Sequence, residues 1–394
     1  VTIYFIDGFD LVDYFRSFLK YIPGYSSQFD QGQMIAGNGG GQALNTFNSA
    51  FSANGVQYTK LLGTGVSTLG IHIDYQQGGG TVFAGYDWYR LSIGSSDILT
   101  ITQRTDGKLD FFGPGRARIC TTVNPLVFGS WSNLIVLLSF GSTGSIRVLV
   151  NGVDALSPAT QPFNSGAFFP TAASFMWKGG FGPGISVDNY FLFDGLTNPG
   201  PCHVDSTLPF ADSPATVWTP FVTSPDVVTP NCTPMVNDTA GRLTGGAPDG
   251  DYTYISPSAV NNQLFQMFQT RCYGLILGVA LNVCGRPNTG FSPQEFGYVV
   301  QLSQGLQSVG AGQLLNVGAI ASDPHLTDYQ TEQVVMPLSP ATGTNWTDAE
   351  ISNGAFGVAA VSGNLNLRVT AFNLEKITSL MPQPFNCGGS NYSY

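Results

Sequence analysis

The stretch Trp131–Leu156, WSNLIVLLSFGSTGSIRVLVNGVDAL, constrains the fold more than any other part of the chain. Asn133–Phe140 is an apolar run with Leu134, Val136, Leu138 and Phe140 on one face. Gly141–Ser145 is turn chemistry, because glycine takes positive φ without steric cost. Ile146–Val150 alternates, with Ile146, Val148 and Val150 on one side and Arg147 and Leu149 on the other. Asn151-Gly152 is the strongest two-residue hairpin signal, since both central positions of a type I′ turn need positive φ. Val153–Leu156 then returns, completing an antiparallel meander. Ile135 and Leu137 make the second face of the first strand apolar as well. Such a strand sits centrally in a two-layer domain or beneath a partner.

The same grammar extends in both directions. Strands are expected at Ile3–Ile6, Leu44–Phe47, Thr59–Leu62, Ser67–Gln76, Thr81–Ala84, Trp88–Ser95, Ile98–Arg104, Lys108–Phe112, Ser174–Lys178 and Ile185–Asp194. Asp106-Gly107 is a second hairpin turn. Leu11–Tyr21 has helical spacing, and Gln31–Gln42 reads as a Gly-rich loop with no phosphate-loop lysine. Turn signals every eight to twelve residues are the signature of a sandwich or barrel. In Ile185–Asp194, Ile185, Val187, Phe191 and Phe193 fall on one face, which reads as a half-exposed strand.

A chain of 394 residues is expected to form two domains. We divide it into a first all-β domain over 1–200, a Pro/Gly-rich arm or linker over 201–262, and a second β-rich domain over 263–394. Eight prolines fall between Pro209 and Pro257. In the second domain, Tyr273–Val283 is the strongest strand. Gly297–Leu302, Gln313–Ile320, Gln333–Pro337, Ala355–Val361 and Leu365–Asn373 follow. Thr347 and Glu350 form a capping box, with Trp346 and Ile351 placed for the hydrophobic staple.

Charge narrows the function. Only 10% of residues are charged and the net charge is −10, so a phosphate-tracking nucleic-acid binder is not expected. The longest apolar runs are too short to cross a bilayer as a helix. VTIYFIDGFD has no basic n-region and no small-residue cleavage site, which reads as a chain made in a cytoplasm. The six cysteines have no zinc spacing and read as buried thiols, with a Cys272–Cys284 bridge as the alternative.

The residues resemble those of tailed-bacteriophage virion proteins with a laminin-G/concanavalin A-like jelly-roll domain. In the first half the likeness lies in Asp7-Gly8-Phe9-Asp10, Trp131 with Gly144–Gly152, and Val187-Asp188-Asn189-Tyr190. In the second half it lies in three segments: Asp205–Asp212 with Trp218-Thr-Pro220, Pro248–Ile255, and Trp346–Gly357. At the last, Ser352 stands where the family has Asn. The cysteines and the Pro-containing Cys202–Cys232 insertion depart from the family pattern. The resemblance implies an all-β fold: a concanavalin-like antiparallel β-sandwich (jelly roll), then a second β-rich domain with long Pro-rich loops. It implies a virion component from the tail, baseplate, fibre or capsid surface. The expected partners are other virion proteins and further copies of this chain.

Catalysis finds little support. Jelly-roll hydrolases need paired carboxylates and carry Glu-x-Asp-x-x-Glu, yet the first glutamate of this chain is Glu295. The nearest substitute pair is Asp106 with Asp110, and Asp106 is already explained by its turn. His72 reads as a polar-face histidine opposite Ile71, Ile73 and Tyr75. The chain is therefore expected not to be an enzyme and to need no cofactor. The alternative to a purely structural role is recognition of host surface glycans, with Tyr86, Trp88, Tyr89 and Asn189 as candidate sugar-binding residues. Asp7, Asp10 and Asp13 form a candidate calcium cluster whose other reading is turn and cap residues. Four Asn-x-Ser/Thr triplets, at Asn231, Asn237, Asn345 and Asn391, leave a secreted adhesion module as a third class.

Overall fold

In the computed structural model the meander forms as expected. Trp131–Ser139 pairs with Gly144–Val150 from Leu134↔Val150 to Ser139↔Ser145. Asn151 (φ 51°) and Gly152 (φ 79°) make the tight turn, and Val153–Asp154 returns. The structure describes residues 2–7, 22–23, 33–36, 42–45, 56–62, 65–77, 86–177, 185–195, 197–213, 218–222, 253–268, 274–288, 293–314 and 330–380. The statements below concern these residues. The expected Leu11–Tyr21 helix and Thr81–Ala84 strand lie outside them, as do Asp10 and Asp13.

Four antiparallel sheets stack as layers. Sheet I runs Arg118–Thr121, Leu109–Phe112, Ser96–Gln103, Tyr86–Ile93, Ala172–Trp177, Val56–Leu61, Ile22–Pro23. Sheet II is built around Trp131–Ser139, Thr68–Gln77 and Ile185–Phe193, with Ile3–Asp7 paired to the last of these. Sheet III runs Thr219–Val222, Thr253–Ser256, Leu367–Ser379, Ile276–Pro287, Gln330–Met336, with Cys202–Thr207 also paired to Leu367–Ser379. Sheet IV runs Pro209–Asp212, Asn262–Met267, Ala355–Ala360, Gln294–Leu302, Gly305–Leu314. Sheets I and II form one all-β sandwich and sheets III and IV a second. The Thr347 capping box closes on Asp348–Asn353, and Trp346 and Ile351 both enter the second core.

Two stretches differ from the sequence reading. The Gly-rich stretch Gln31–Gln42 contains the strand Gln33–Ala36, which pairs with Gln42–Asn45. The stretch 201–262, read as an arm, contributes strands to the second sandwich from Cys202 onward. Cys202–Thr207 alone pairs over six residues with Leu367–Ser379. Proline masked this because an edge strand tolerates it where its N–H is not needed.

The strand Trp131–Ser139, the keel of the fold, explains the layering. Leu134, Val136 and Leu138 point into the core between sheets I and II. Ile135 points the other way, into a separate apolar layer between sheets II and III. That layer holds Ile3, Ile6, Leu149, Phe191 and Phe193 from sheet II against Cys202, Val204, Ala280 and Ile377 from sheet III. The partner on the second face of the keel is thus the second half of the same chain. The same contact overturns the half-exposed reading of Ile185–Phe193, since all nine of its residues are buried. A bulge between Asp188 and Phe191, with Asn189 at φ 49°, switches the facing. Ile185, Val187, Tyr190 and Leu192 enter the first core, while Phe191 and Phe193 enter the seam. Gly70 permits the close fit, because a Cβ there would lie 2.2 Å from the Phe193 ring.

A carboxamide clamps the seam at one edge. Gln333 of sheet III donates from Nε2 to the Ile6 carbonyl at 2.9 Å and accepts from the Ile6 N–H at 3.2 Å. Its Nε2 also lies 2.7 Å from Asn282 Oδ1 and 3.3 Å from Glu375 Oε2. Asn282 donates to Glu375 Oε2 at 2.9 Å. These buried polar groups satisfy each other, which removes the desolvation penalty an unpaired group would carry.

If the seam welds the halves, Ile135→Ala will destabilise the chain by about 2–5 kcal/mol. The exposed Val153→Ala will change stability by under about 0.5 kcal/mol. Urea midpoints measure both, and an Ile135→Ala midpoint equal to wild type would refute the weld.

Candidate binding face and buried seam network

The face of sheet I turned away from the first core carries a polar array in which Thr100, Thr102, Asp110 and Ser174 are buried, Arg90, Arg104, Lys108 and Phe112 are half-buried, and Arg116 and Arg118 are exposed. Its strands alternate, so Leu99, Ile101, Leu109 and Phe111 fill the first core. Thr100, Thr102, Arg104, Lys108, Asp110 and Phe112 take the opposite parity. Cross-strand register assembles them into two rows. One row is Arg118, Phe112, Thr100, Arg90 and Ser174. The other is Thr121, Asp110, Thr102 and Asp87.

Charge-assisted bonds hold these rows. Arg116 sits at φ 61° after a 3₁₀ turn, Pro114–Arg116. Its guanidinium takes both oxygens of Asp87, at 2.5 and 3.0 Å, and lies 5.2 Å from the centroid of the Phe112 ring. Thr102 donates to Asp87 Oδ1 at 2.5 Å. Thr121 donates to Asp110 Oδ1 at 2.5 Å, and Arg104 lies 3.6 Å from Asp110 Oδ2. Arg90 pairs with Asp97 at 3.2 Å. Arg104 also grips Asp106 through both carboxylate oxygens, at 3.1 and 3.2 Å. That hydrogen bonding holds the Asp106 carboxyl below its usual range and raises the Arg104 guanidinium further. Asp106 and Asp110, the nearest pair considered for hydrolysis, are thus both engaged by one arginine.

Three of the four residues selected as sugar contacts, Trp88, Tyr89 and Asn189, do not form that face. A bulge between Asp87 and Tyr89 turns two successive aromatics inward. Trp88 packs on Tyr75 with ring centroids 4.8 Å apart. The Tyr89 hydroxyl meets that of Tyr190 at 2.8 Å, and burial raises both phenols. Trp88 and Tyr89 are therefore core residues, and their ring faces are unavailable to a sugar. The Tyr86 side chain lies outside the described residues. Asn189 is buried on the far side of sheet II, about one layer away from sheet I. Asp7 is fully buried opposite Tyr190, in register with it, and does not sit in an open loop. No group of three or more metal-ligating side chains occurs among the described residues.

What Asn189 does instead is join the two sandwiches. Its Nδ2 donates to Asp74 Oδ2 at 2.8 Å, and its Oδ1 accepts from the Val204 N–H at 2.7 Å. Asn133 Nδ2 donates to Asp74 Oδ1 at 2.7 Å and lies 2.8 Å from His72 Nε2. His72 Nδ1 lies 2.9 Å from the Asn189 carbonyl. A carbonyl can only accept, so Nδ1 carries the proton and Nε2 accepts from Asn133. His72 is thus a neutral ring stacked on Phe191 at 4.3 Å. It is on the face opposite Ile71 and Ile73, as expected, but the second sandwich covers it. Burial pushes its pKa down, against the opposing charge of Asp74. Cys202, in the same layer, has its thiol pushed up to about 12 by burial, so it is an inert thiol.

No family model and no curated protein matches this chain. Among solved structures, the cellulose induced protein Cip1 is similar at TM-score 0.37 and 12% identity, over 48% of this chain and 97% of that one. The receptor binding domain of botulinum neurotoxin D is similar at TM-score 0.33 and 8% identity, over 42% and 43%. A carbohydrate esterase from the Shiga toxin-encoding bacteriophage phi24B is similar at TM-score 0.30 and 12% identity, over 41% and 85%. Likeness this weak carries no functional argument.

The buried histidine has a measurable consequence. Its pKa is about 6.5 in the unfolded chain and lower in the fold. The unfolded state therefore takes up the proton first as pH falls. Stability is fully present above about pH 6.5 and declines from there down to the folded pKa. Urea midpoints at pH 7.5 and 5.5 are expected to show this decline, and His72→Gln to flatten it. An equally steep decline in the variant would assign the effect to other groups.

Proposed function

We propose that this chain is a non-enzymatic structural component of a bacteriophage particle, from its tail, baseplate, fibre or capsid surface. The observation that carries this reading is the seam. Domains joined by a small polar interface rock against one another. Here an apolar layer, an amide clamp and the Asn189–Val204 bond lock two sandwiches into one four-layer block. Such a block suits a subunit that transmits position between neighbours. The ordered motifs that resemble phage virion proteins in both halves support the same reading.

The working chemistry in this reading is burial and strand pairing, and it needs no cofactor. The partners are other virion proteins and further copies of this chain, in a closed symmetric assembly. Nucleic acid and membrane insertion play no part, and the protein reaches the virion from the host cytoplasm. Tryptic mass spectrometry of gradient-purified particles, with gold-labelled antibody on intact ones, tests this. Finding the chain only in the particle-free lysate would overturn it. The Pro-rich stretch Pro209–Pro257 is our candidate contact between subunits, and replacing its residues 223–252 with a short Gly/Ser linker keeps every described strand. It is expected to leave a folded chain that no longer enters particles; normal incorporation would remove this stretch as the assembly element.

A second reading is favoured by the outer face of sheet I: the particle component also binds carbohydrate there. Thr100, Thr102 and Asp110 are buried beneath this face, while Arg116 and Arg118 are exposed and Arg104 and Lys108 half-buried, so the N–H groups of these cations are the donors open to sugar hydroxyls. Arg116→Ala is expected to lower glycan binding by about tenfold or more, through loss of a charge-assisted pair. Binding to immobilised glycans measures it, and unchanged binding would exclude this face.

A further inference from the structure

We propose that the outer face of sheet I binds a carboxylate-bearing glycan, with Arg118 and Arg116 receiving the carboxylate beside the Phe112 ring. This rests on the glycan-binding reading above and adds the chemical class of the ligand.

The argument begins with where the charge lies. The chain has a net charge of −10 and only 15 Lys and Arg residues. Five of these, Arg90, Arg104, Lys108, Arg116 and Arg118, fall in residues 86–121, against four carboxylates at Asp87, Asp97, Asp106 and Asp110. This segment is therefore cationic within an acidic protein. All four carboxylates are engaged by arginines, at 2.5 to 3.6 Å. They are thus poorly placed to repel an incoming anion.

Donors remain for that anion. Arg116 spends two of its five N–H groups on Asp87 and keeps three. Arg118 is exposed on the edge strand of sheet I, in register with Phe112, and has no ion pair among the described residues. Lys108 has the same strand parity as Asp110 and Phe112. Thr100, Thr102 and Asp110 are buried, so the groups open to a ligand here are cationic, and a neutral sugar would leave Arg118 without a counter-charge. A carboxylate supplies the counter-charge and fits the guanidinium fork bidentately. The Phe112 ring offers an apolar surface beside it for the sugar's C–H groups. The balance of five cations against four anions is too even for a polyanionic backbone, whose binding scales with the number of phosphates neutralised.

The test uses the full chain on an array with four arms: sialylated glycans, uronate-containing glycans, carboxyl-reduced counterparts of both, and neutral glycans. Binding is expected on a carboxylated arm and not on its reduced counterpart, and it should weaken when salt rises from 50 to 500 mM. The sialylated and uronate arms identify the source of the carboxylate. Arg118→Ala is expected to lower binding about 10- to 100-fold with an unchanged thermal midpoint. Arg118→Lys should retain part of the affinity, because it keeps charge without the fork. Equal binding to carboxylated and reduced glycans would overturn the carboxylate assignment and leave the glycan reading standing. Acidic-glycan binding that survives Arg118→Ala would overturn the placement. Silence on all four arms would overturn both readings.

Discussion

The fold depends on a strand that is greasy on both sides. Trp131–Ser139 sends Leu134, Val136 and Leu138 one way and Ile135 the other. A lone sandwich would leave Ile135, Leu149, Phe191 and Phe193 in water. Burying such side chains is worth about 1.5–3 kcal/mol each, so the exposed form of the first sandwich is strongly disfavoured. The second sandwich removes that cost by placing Val204, Ala280 and Ile377 over them. Other features of the chain follow from this requirement: the bulge that turns Phe191 outward, the glycine that admits Phe193, and the carboxamide that grips Ile6.

The polar groups within the seam set its register. Apolar side chains slide at little cost, whereas Gln333 engages both peptide groups of one residue. Asn189 fixes a second point by holding Val204, two residues into the strand that opens the second sandwich. The network around His72 and Asp74 braces Asn189 in turn. The buried polar residues here work as spacers and locators, and the apolar ones supply the adhesion.

The meander, its Asn-Gly turn and the capping box were legible in the sequence because each is a local matter of period and turn chemistry. The doubly apolar keel was legible too, as a strand that needed a partner. Which partner it met was not, because Ile135 and Ile377 are far apart in sequence and period carries no pairing information. The misplaced sugar contacts have a sharper cause. Trp88, Tyr89 and Asn189 all lie at bulges, where strict alternation fails by one residue. A bulge is set by backbone pairing and leaves no period in the side chains. The polar rows of sheet I did leave a signal, in the alternation of Thr100, Thr102 and Arg104 with Lys108, Asp110 and Phe112. Reading it required knowing that Arg116, from a 3₁₀ turn at positive φ, folds back over them.

Synthesis runs in one direction, and the seam does not close until its last contributor, Ile377, has been made. The first sandwich leaves the ribosome with its oily face uncovered. At about 5–20 residues per second, roughly 180 further residues take about 10–35 s. During that interval the face that later welds the molecule is its main liability for clumping with other nascent chains. A cell making this protein in quantity must shield that face or keep the chains apart. The weld that makes the finished block rigid is thus also what makes the half-made chain sticky.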